Sequence, residues 1–363
     1  MTATEVVGIV GAGVMGTGIA QLALEAGHEV VLHDVDDLAL DRATDRIRDG
    51  LARRAAHLEL DPDSIDEWVD GRIAPLRRTD VLEQLGDEAD VVIEAALEDL
   101  ELKRTIFGTL DSIADDRTIL ATNTSALPIA AIAEATTRPE RVLGLHFFNP
   151  APVMRLVEVV PGPRTDPAIA DRATRLVASW GRTPVRSADR PGFIVNRVNR
   201  PFTIEALRIL EDGAATVEQV DDAMRAAGFP LGPFELMDLT GLDVTTAAAT
   251  GIWEGLGRPD RLRPSAVQTE LVEAGRLGRK SGEGFYGYPD GRRGGPATPF
   301  AAPATTLTAT DIRDRILGAI DREARLAVEE GVADRESVDL ALRLGAGHHE
   351  GPFERMARTT AAP

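Results

Sequence analysis

An α/β domain built on a doubly wound sheet, followed by an all-α domain that is partly duplicated, is the architecture this 363-residue sequence predicts. Short β-branched runs alternate with helical stretches to about residue 186, and from Pro191 the pattern turns almost wholly helical. Blocks of that helical part then recur near the C-terminus. The length agrees, because single cores stop growing near about 250–300 residues and longer chains split.

The first strand, Val6 to Val10, runs into Gly11-Ala12-Gly13-Val14-Met15-Gly16 and then a helix that Gly27 stops. A second strand, Glu29 to His33, ends in Asp34. Strand, glycine turn, helix, strand and acid make the βαβ unit of a Rossmann-type dinucleotide-binding fold. Gly11 permits the tight turn, Gly13 lets the backbone approach a pyrophosphate, and Gly16 packs the helix on the strand. The helix is expected from about Gly16 to Glu25, with the phosphates on the free N–H groups of its start, where the helix dipole is positive; Val14 and Met15 are counted with the glycines among the cofactor-binding residues. Asp34 is placed to accept bonds from the ribose hydroxyls, and its charge repels a 2′-phosphate, which selects NAD over NADP.

Residues 36 to 70 carry apolar residues at helical spacing, such as Leu40, Ile47 and Leu51, and read as one or two long helices. Strands are expected at Ala89 to Ala95, Thr118 to Thr122, Arg141 to His146 and Leu156 to Val160. The expected domains are a Rossmann domain at 1–186, a helical domain at 187–288, a Gly, Pro and Ala-rich flexible linker at 289–307, and a shortened second helical copy at 308–357. The copy is legible at an offset of 118 residues: Ile204 to Gly213 aligns with Arg322 to Gly331, and Asp221 with Asp339. After one inserted residue, Gly232-Pro233-Phe234-Glu235 aligns with Gly351-Pro352-Phe353-Glu354. Repeated units commonly bury faces that neither buries alone.

A net charge of −19 argues against nucleic-acid binding, which draws affinity from Lys and Arg on phosphates. No apolar run is long enough for a membrane span, and no charged leader precedes an apolar stretch, so a cytoplasmic protein is expected. With no cysteine, disulfide and thiolate chemistry are excluded, and no metal site is expected. Of the 40 basic residues only Lys103 and Lys280 are lysines. Salt adaptation of the surface and a GC-rich genome both fit that bias. Retained lysines are candidates for places that need a compact ammonium.

His146 stands where a strand stops, in His146-Phe147-Phe148-Asn149-Pro150, and twelve residues later Glu158 lies within the apolar run Leu156 to Val160. A carboxylate in a buried strand is costly unless paired, and His146 is its obvious partner. A His oriented by a buried carboxylate suits a general base; a purely structural pair is the alternative. Ser125 follows the strand ending at Thr122, either at the same sheet edge or as a helix N-cap. Asn196 opens the helical part, where an amide can serve a substrate oxygen or an interdomain bond.

With these residues in view, the chain resembles the 3-hydroxyacyl-CoA dehydrogenases of the short-chain 3-hydroxybutyryl-CoA type. The resemblance runs from about Val6 to Tyr288 and returns from Ile312 to Met356. It rests on Gly8 to Ala20, Asn123-Thr124-Ser125, His146 to Val159, Pro191 to Arg197, Gly232 to Glu235 and Gly282-Glu283-Gly284-Phe285-Tyr286. It implies His146 as general base, Glu158 as its orienting partner, and Ser125 and Asn196 on the 3-oxygen of the substrate. Asp34, Glu98, Lys103, Ser125, Asn149 and Lys280 fall where the family contacts NAD. The implied reaction is reversible oxidation of (S)-3-hydroxyacyl-CoA to 3-oxoacyl-CoA in fatty-acid β-oxidation.

Two departures stand out. A serine and a lysine that hold CoA phosphates in the family align with Gly50 and His57, so Arg53, Arg54 and His57 are the candidate substitutes. The second copy has Asp314 opposite Asn196 and lacks the Gly-Phe-Tyr motif, so it is expected to be non-catalytic and to form an internal pseudo-dimer, within a monomer or a homodimer. An L-gulonate 3-dehydrogenase-like hydroxy-acid dehydrogenase and a catalytically silent structural protein are the competing readings.

Overall fold

In the computed structural model, which describes residues 4–297 and 306–361, the first half of the chain forms an eight-stranded sheet among the described residues. The strands are β1 (Val6–Val10), β2 (Glu29–His33), β3 (Leu76–Thr79), β4 (Val91–Glu94), β5 (Ile119–Thr122), β6 (Val142–Phe147), β7 (Leu156–Pro161) and β8 (Thr183–Arg186), in the order β3-β2-β1-β4-β5-β6-β7-β8. The helices between them are α1 (Val14–Glu25), α2 (Asp37–His57), α3 (Ile65–Ile73), α4 (Leu82–Glu88), α5 (Leu100–Ile113), α6 (Ile129–Ala133) and α7 (Pro167–Ser179). β4, β5 and β6 are buried along their whole length, as continuous apolar strands covered on both faces should be.

Neighbouring strands pair in parallel except β6 and β7, which are antiparallel. Sequence patterning had no signal for β3 or β8. β3 reads Leu-Arg-Arg-Thr with both arginines exposed, and β8 carries Pro184; both lie at sheet edges, where charge and proline are tolerated.

The chain divides into two compact units, with the boundary at Arg190 and Pro191 rather than after residue 186. The extra residues belong to the sheet unit because they are bonded into it. Ser187 N–H donates to the Val159 carbonyl at 3.1 Å, and the Asp189 carboxylate accepts from Ile129 and Ala130 N–H at 3.0 and 2.9 Å, capping α6.

The second unit contains α8 (Val195–Val198), α9 (Arg200–Glu211), α10 (Val217–Ala226), α11 (Pro233–Thr240), α12 (Leu242–Gly255), α13 (Ala266–Glu273), α14 (Ala309–Glu329), α15 (Arg335–Ala346) and α16 (Pro352–Ala361). The stretch expected as linker, 289–307, needs correction at its start. Pro289–Gly291 is a 3-10 turn, Gly294 N–H returns to the Gly287 carbonyl at 2.7 Å, and Ala297 N–H reaches Phe285 at 3.0 Å. Arg293 lies over the Tyr286 ring at 4.2 Å, which holds this run against the first copy. Residues 298–305 of that linker lie outside the described residues.

The duplication is physical as well as textual. Asp221 accepts from Phe234 and Glu235 N–H at 2.9 and 3.1 Å, and Asp339 accepts from Phe353 and Glu354 N–H at 2.8 and 3.1 Å. At Gly232 and at Gly351 a Cβ would meet the respective aspartate at 2.3 Å, so each capping turn needs glycine for the same reason. α14 packs along α9 and α10, and α15 against α8. Arg197 pairs with Glu323 and Glu330 at 3.0 and 2.8 Å, while its repeat mate Arg315 pairs with Glu205 and Asp212, each at 3.1 Å. Those carboxylates are themselves repeat mates, so the contact is reciprocal, as across a two-fold interface. Phe229 and its mate His348 meet edge-on at 4.8 Å, marking the pseudo-axis.

Candidate active site

The glycine turn leaves β1 with the geometry its residues require. Gly11 has φ +101°, and a Cβ there would meet the Ala95 carbonyl oxygen at 2.8 Å. At Gly16 a Cβ would lie 1.8 Å from the Gly11 carbonyl oxygen, so the helix could not seat. At Gly13 nothing lies within 4 Å, which leaves space for a phosphate beside the backbone. No side chain caps α1, and no acid occupies its first turn. Val14 is exposed, and Met15 is partly so. Asp34 turns back onto the loop, accepting Ala12 N–H at 2.7 Å and Asp36 N–H at 3.1 Å. This donor set fits a dinucleotide: bare N–H groups and a positive helix end for the pyrophosphate, and a carboxylate at the ribose position. Val35 and Leu97, at the ends of the two strands flanking β1, are 86% and 77% exposed and offer apolar surface to a base.

Antiparallel pairing of β6 with β7 sets His146 directly opposite Glu158. His146 Nδ1 lies 2.6 Å from Glu158 Oε2, and Nε2 lies 3.2 Å from Ser125 Oγ. Both members of the dyad are buried, Glu158 completely. The Phe148 ring packs on the imidazole at 4.4 Å between centroids. Ser125 is not a helix cap, because α6 begins only at Ile129. Its turn is held instead by Glu98, whose Oε1 accepts from Thr124 Oγ1 at 2.6 Å, Ser125 N–H at 2.9 Å and Ala126 N–H at 3.2 Å.

Glu98 is tied in turn to Lys103, 3.4 Å away. Lys103 is buried, with its ammonium 2.6 Å from the fully buried Glu94. Glu94 also accepts from Thr122 Oγ1 at 2.6 Å and Ala96 N–H at 2.7 Å. A network therefore runs from the strand ends around the nucleotide loop to the dyad. Glu94 escaped the reading of the sequence, although it shows the same signal as Glu158: a carboxylate in an apolar run, Val91-Val92-Ile93-Glu94. Asn123 was also missed as an individual contributor; its Oδ1 accepts Phe147 N–H at 2.8 Å and fastens β5 to the strand end that carries His146.

Arg53, Arg54 and His57 line a cavity of about 780 Å³ together with Arg155, Arg182 and Gly50. Nothing in the sequence pointed to Arg155 or Arg182, which stand immediately before β7 and β8. Burial, together with the neighbouring Arg54 and Arg155 and against the pull of Glu25, lowers the pKa of the Arg182 guanidinium. At Gly50 a Cβ would meet Gln21 Oε1 at 2.0 Å, so a serine there conflicts with the present Gln21 position. Asn149 is exposed ahead of the cis Asn149–Pro150 bond. In the helical unit, Asn196 lies in α8 after a backbone reversal at Gly192 and Phe193. Lys280 pairs with Asp243 at 2.6 Å. Among the described residues there is no cluster of His, Asp and Glu arranged for a metal and no helix long and apolar enough to cross a membrane.

The profile of the 3-hydroxyacyl-CoA dehydrogenase NAD binding domain matches residues 6–190, and that of the C-terminal domain matches 192–288 and again 312–361. The chain belongs to the 3-hydroxyacyl-CoA dehydrogenase family. This is an oxidoreductase family whose first domain binds NAD. The chain is 45% identical over 289 residues to the 3-hydroxyadipyl-CoA dehydrogenase of Escherichia coli, covering 79% of this chain and 60% of that protein. It is 42% identical over 283 residues to the mitochondrial hydroxyacyl-coenzyme A dehydrogenase of Rattus norvegicus, covering 77% and 90% respectively. A crystal structure of a 3-hydroxybutyryl-CoA dehydrogenase from E. coli superposes with a TM-score of 0.88 at 34% identity, covering 98% of this chain and 92% of the other.

Proposed function

We propose that the protein catalyses the reversible, NAD-dependent oxidation of short-chain (S)-3-hydroxyacyl-CoA, of the 3-hydroxybutyryl-CoA kind, to 3-oxoacyl-CoA. The observation that carries this reading is the Ser125–His146–Glu158 line, with separations of 3.2 and 2.6 Å. With Nδ1 engaged by Glu158, the other ring nitrogen faces the Ser125 hydroxyl, where a substrate hydroxyl can be placed. His146 then accepts the hydroxyl proton at Nε2, and the Glu158 carboxylate stabilises the imidazolium. Ser125, its turn held by Glu98, positions the 3-oxygen through its hydroxyl; the family resemblance implies Asn196 as a further contact to that oxygen.

When bound, NAD would supply the acceptor for the hydride on the carbon that bears the 3-hydroxyl. Gly11, Gly13, Val14, Met15, Gly16 and Asp34 would hold it, with Glu98, Lys103, Asn149 and Lys280 contributing further contacts. Arg53, Arg54 and His57, joined by Arg155 and Arg182, would take the CoA phosphates. That arginine cluster supplies locally the positive field that a chain of net charge −19 lacks on average. The E. coli relative named for 3-hydroxyadipyl-CoA supports a CoA thioester over a free hydroxy acid.

The test is NADH oxidation with acetoacetyl-CoA by the native protein and by His146→Gln. Native turnover should fall by about 10²–10⁴-fold in the variant, the usual contribution of a positioned general base. Turnover with L-gulonate but not acetoacetyl-CoA would overturn the substrate assignment. Absence of turnover with either would favour a structural protein.

A further inference from the structure

Glu94 closes β4 and is fully buried. Its Oε1 accepts from the Lys103 ammonium at 2.6 Å and from Ala96 N–H at 2.7 Å, and its Oε2 accepts from the Thr122 hydroxyl at 2.6 Å. The donors come from three segments of the sheet unit: α5, the loop after β4 and the end of β5. A buried carboxylate is costly alone, and short charge-assisted bonds of this kind offset the cost.

Two routes lead from those oxygens to one turn. In the first, Lys103 stands 3.4 Å from Glu98 Oε2, and Glu98 Oε1 holds the Thr124 hydroxyl with the Ser125 and Ala126 N–H groups. In the second, Thr122 gives its one hydroxyl hydrogen to Glu94, which leaves its oxygen to accept Thr124 N–H at 3.3 Å. The turn on which both converge carries Ser125, whose hydroxyl is 3.2 Å from His146 Nε2. The bond from Ala96 N–H leads the other way, to the glycine turn. A Cβ on Gly11 would meet the Ala95 carbonyl oxygen at 2.8 Å and the Ala96 nitrogen at 3.2 Å, so the backbone that Glu94 fixes is the one against which Gly11 packs.

Holding the sheet together does not require this arrangement, because β4 and β5 already pair through their backbones with Glu94 opposite Thr122. Another buried pair of the sheet unit, Arg141 and Asp111 at 2.8 Å, engages the Ala114 carbonyl and Thr137 N–H and leads to no site residue. We propose that Glu94 is a positioning residue of the reaction, which sets the Ser125 turn relative to the glycine turn that receives the dinucleotide. This rests on the function proposed above, in which Ser125 holds the 3-oxygen. Sealed from solvent, Glu94 acts only through Lys103, Thr122 and Ala96, and a small misplacement of the groups they hold is enough to slow the reaction.

Glu94→Gln keeps the size of the side chain and removes its charge, and Thr122→Val cuts the second route alone. With NADH and acetoacetyl-CoA, Glu94→Gln should lower kcat by about 10–100-fold, the cost of a small misplacement, and leave KM for acetoacetyl-CoA within about threefold, as for a contact that matters in the transition state. Thr122→Val should lower kcat less. In a Ser125→Ala background the same Glu94→Gln change should cost only about threefold or less, because the group it positions is gone. Equal losses in the two backgrounds would show that Glu94 serves the fold and not Ser125, and would overturn the proposal.

The NMR ring resonances of His146 decide the matter without turnover and without cofactor. Assigned by their loss in His146→Gln, they should move in Ser125→Ala, which deletes a partner 3.2 Å from the ring. They should move in the same direction in Glu94→Gln and, by less, in Thr122→Val. Resonances unmoved in these two variants overturn the proposal, and Thr122→Val decides alone if Glu94→Gln fails to fold. Failure of the native protein to turn over acetoacetyl-CoA, with the resonance shifts intact, would instead count against the catalytic reading.

Discussion

The two copies of the helical fold begin from the same capping device and end in different chemistry. In the first copy the groove above Phe234 is closed by the Gly284-Phe285-Tyr286 segment. Phe285 packs on Phe234 at 4.7 Å, Tyr286 donates its hydroxyl to Asp221 at 2.8 Å, and Asp238 accepts from Phe285 and Tyr286 N–H at 3.0 and 2.9 Å. Among the described residues the second copy has no such segment. Arg335 lies over Phe353 at 5.3 Å instead, Ala357 stands where the first copy has Asp238, and Asp314 stands where it has Asn196. What the second copy keeps is the surface facing the first: the apolar stripe of Ile312, Ile316, Ile320 and Ala324, together with Glu323. The selective retention teaches that its role is to cover the first copy.

Removal should therefore have the largest effect. A chain ending at Leu307 leaves α9 without its partner and Arg197 without Glu323, and should aggregate or self-associate on size exclusion with light scattering. An unchanged monomer would break the comparison. Next come the reciprocal ion pairs, whose two halves differ in burial. Arg197 and Glu323 are 0% and 1% exposed, and Arg197→Met leaves the buried Glu323 with Arg261 alone, 2.7 Å away, so it should cost about 1.5–3 kcal/mol in denaturant unfolding, the scale of a hydrogen bond to a charged group. Arg315 is 33% exposed and Asp212 58%, so Arg315→Met should cost about 1 kcal/mol or less. Equal losses would show that burial does not distinguish the halves.

The smallest effect concerns the two capping aspartates. Burial pushes Asp221 up to about 7, against the pull of the Phe234 N–H and the Tyr286 hydroxyl. Burial also raises Asp339, with the Phe353 and Glu354 N–H groups opposing it. A native carboxyl that holds its proton above the unfolded value of 3.8 gives stability that is full below that pH and lost as the pH rises toward 7. The native protein should therefore lose stability across that window relative to Asp221→Asn, with a smaller difference for Asp339→Asn, whose site is slightly more open. Each variant should cost about 1–3 kcal/mol at the low end, the range for an N–H left without its acceptor. Parallel pH profiles for native protein and Asp221→Asn would remove the titration argument.

By itself the sequence determined the nucleotide-binding unit, because its glycines answer to local geometry: a left-handed turn at Gly11, a steric limit at Gly16, open space at Gly13. It also determined that Glu158 needs a partner, since a carboxylate among Leu156, Val157, Val159 and Val160 cannot stay buried alone. The duplication was legible because the aspartates recur at an offset of 118 residues and the Gly-Pro-Phe-Glu turns they cap at 119.

Only the tertiary structure decided the rest. The antiparallel turn of β7 against otherwise parallel neighbours puts Glu158 opposite His146, and no local pattern encodes which way a buried apolar strand runs. Strand order brings Glu94 to Thr122 and Glu98 to Thr124, and Arg155 and Arg182 into the cavity of Arg53 and Arg54. These residues are far apart in the chain, and their shared environment arises only when the sheet assembles. Glu94 is the clearest instance: one more acid among 59 in the sequence, it reaches the Ser125 turn only when β4 and β5 lie side by side.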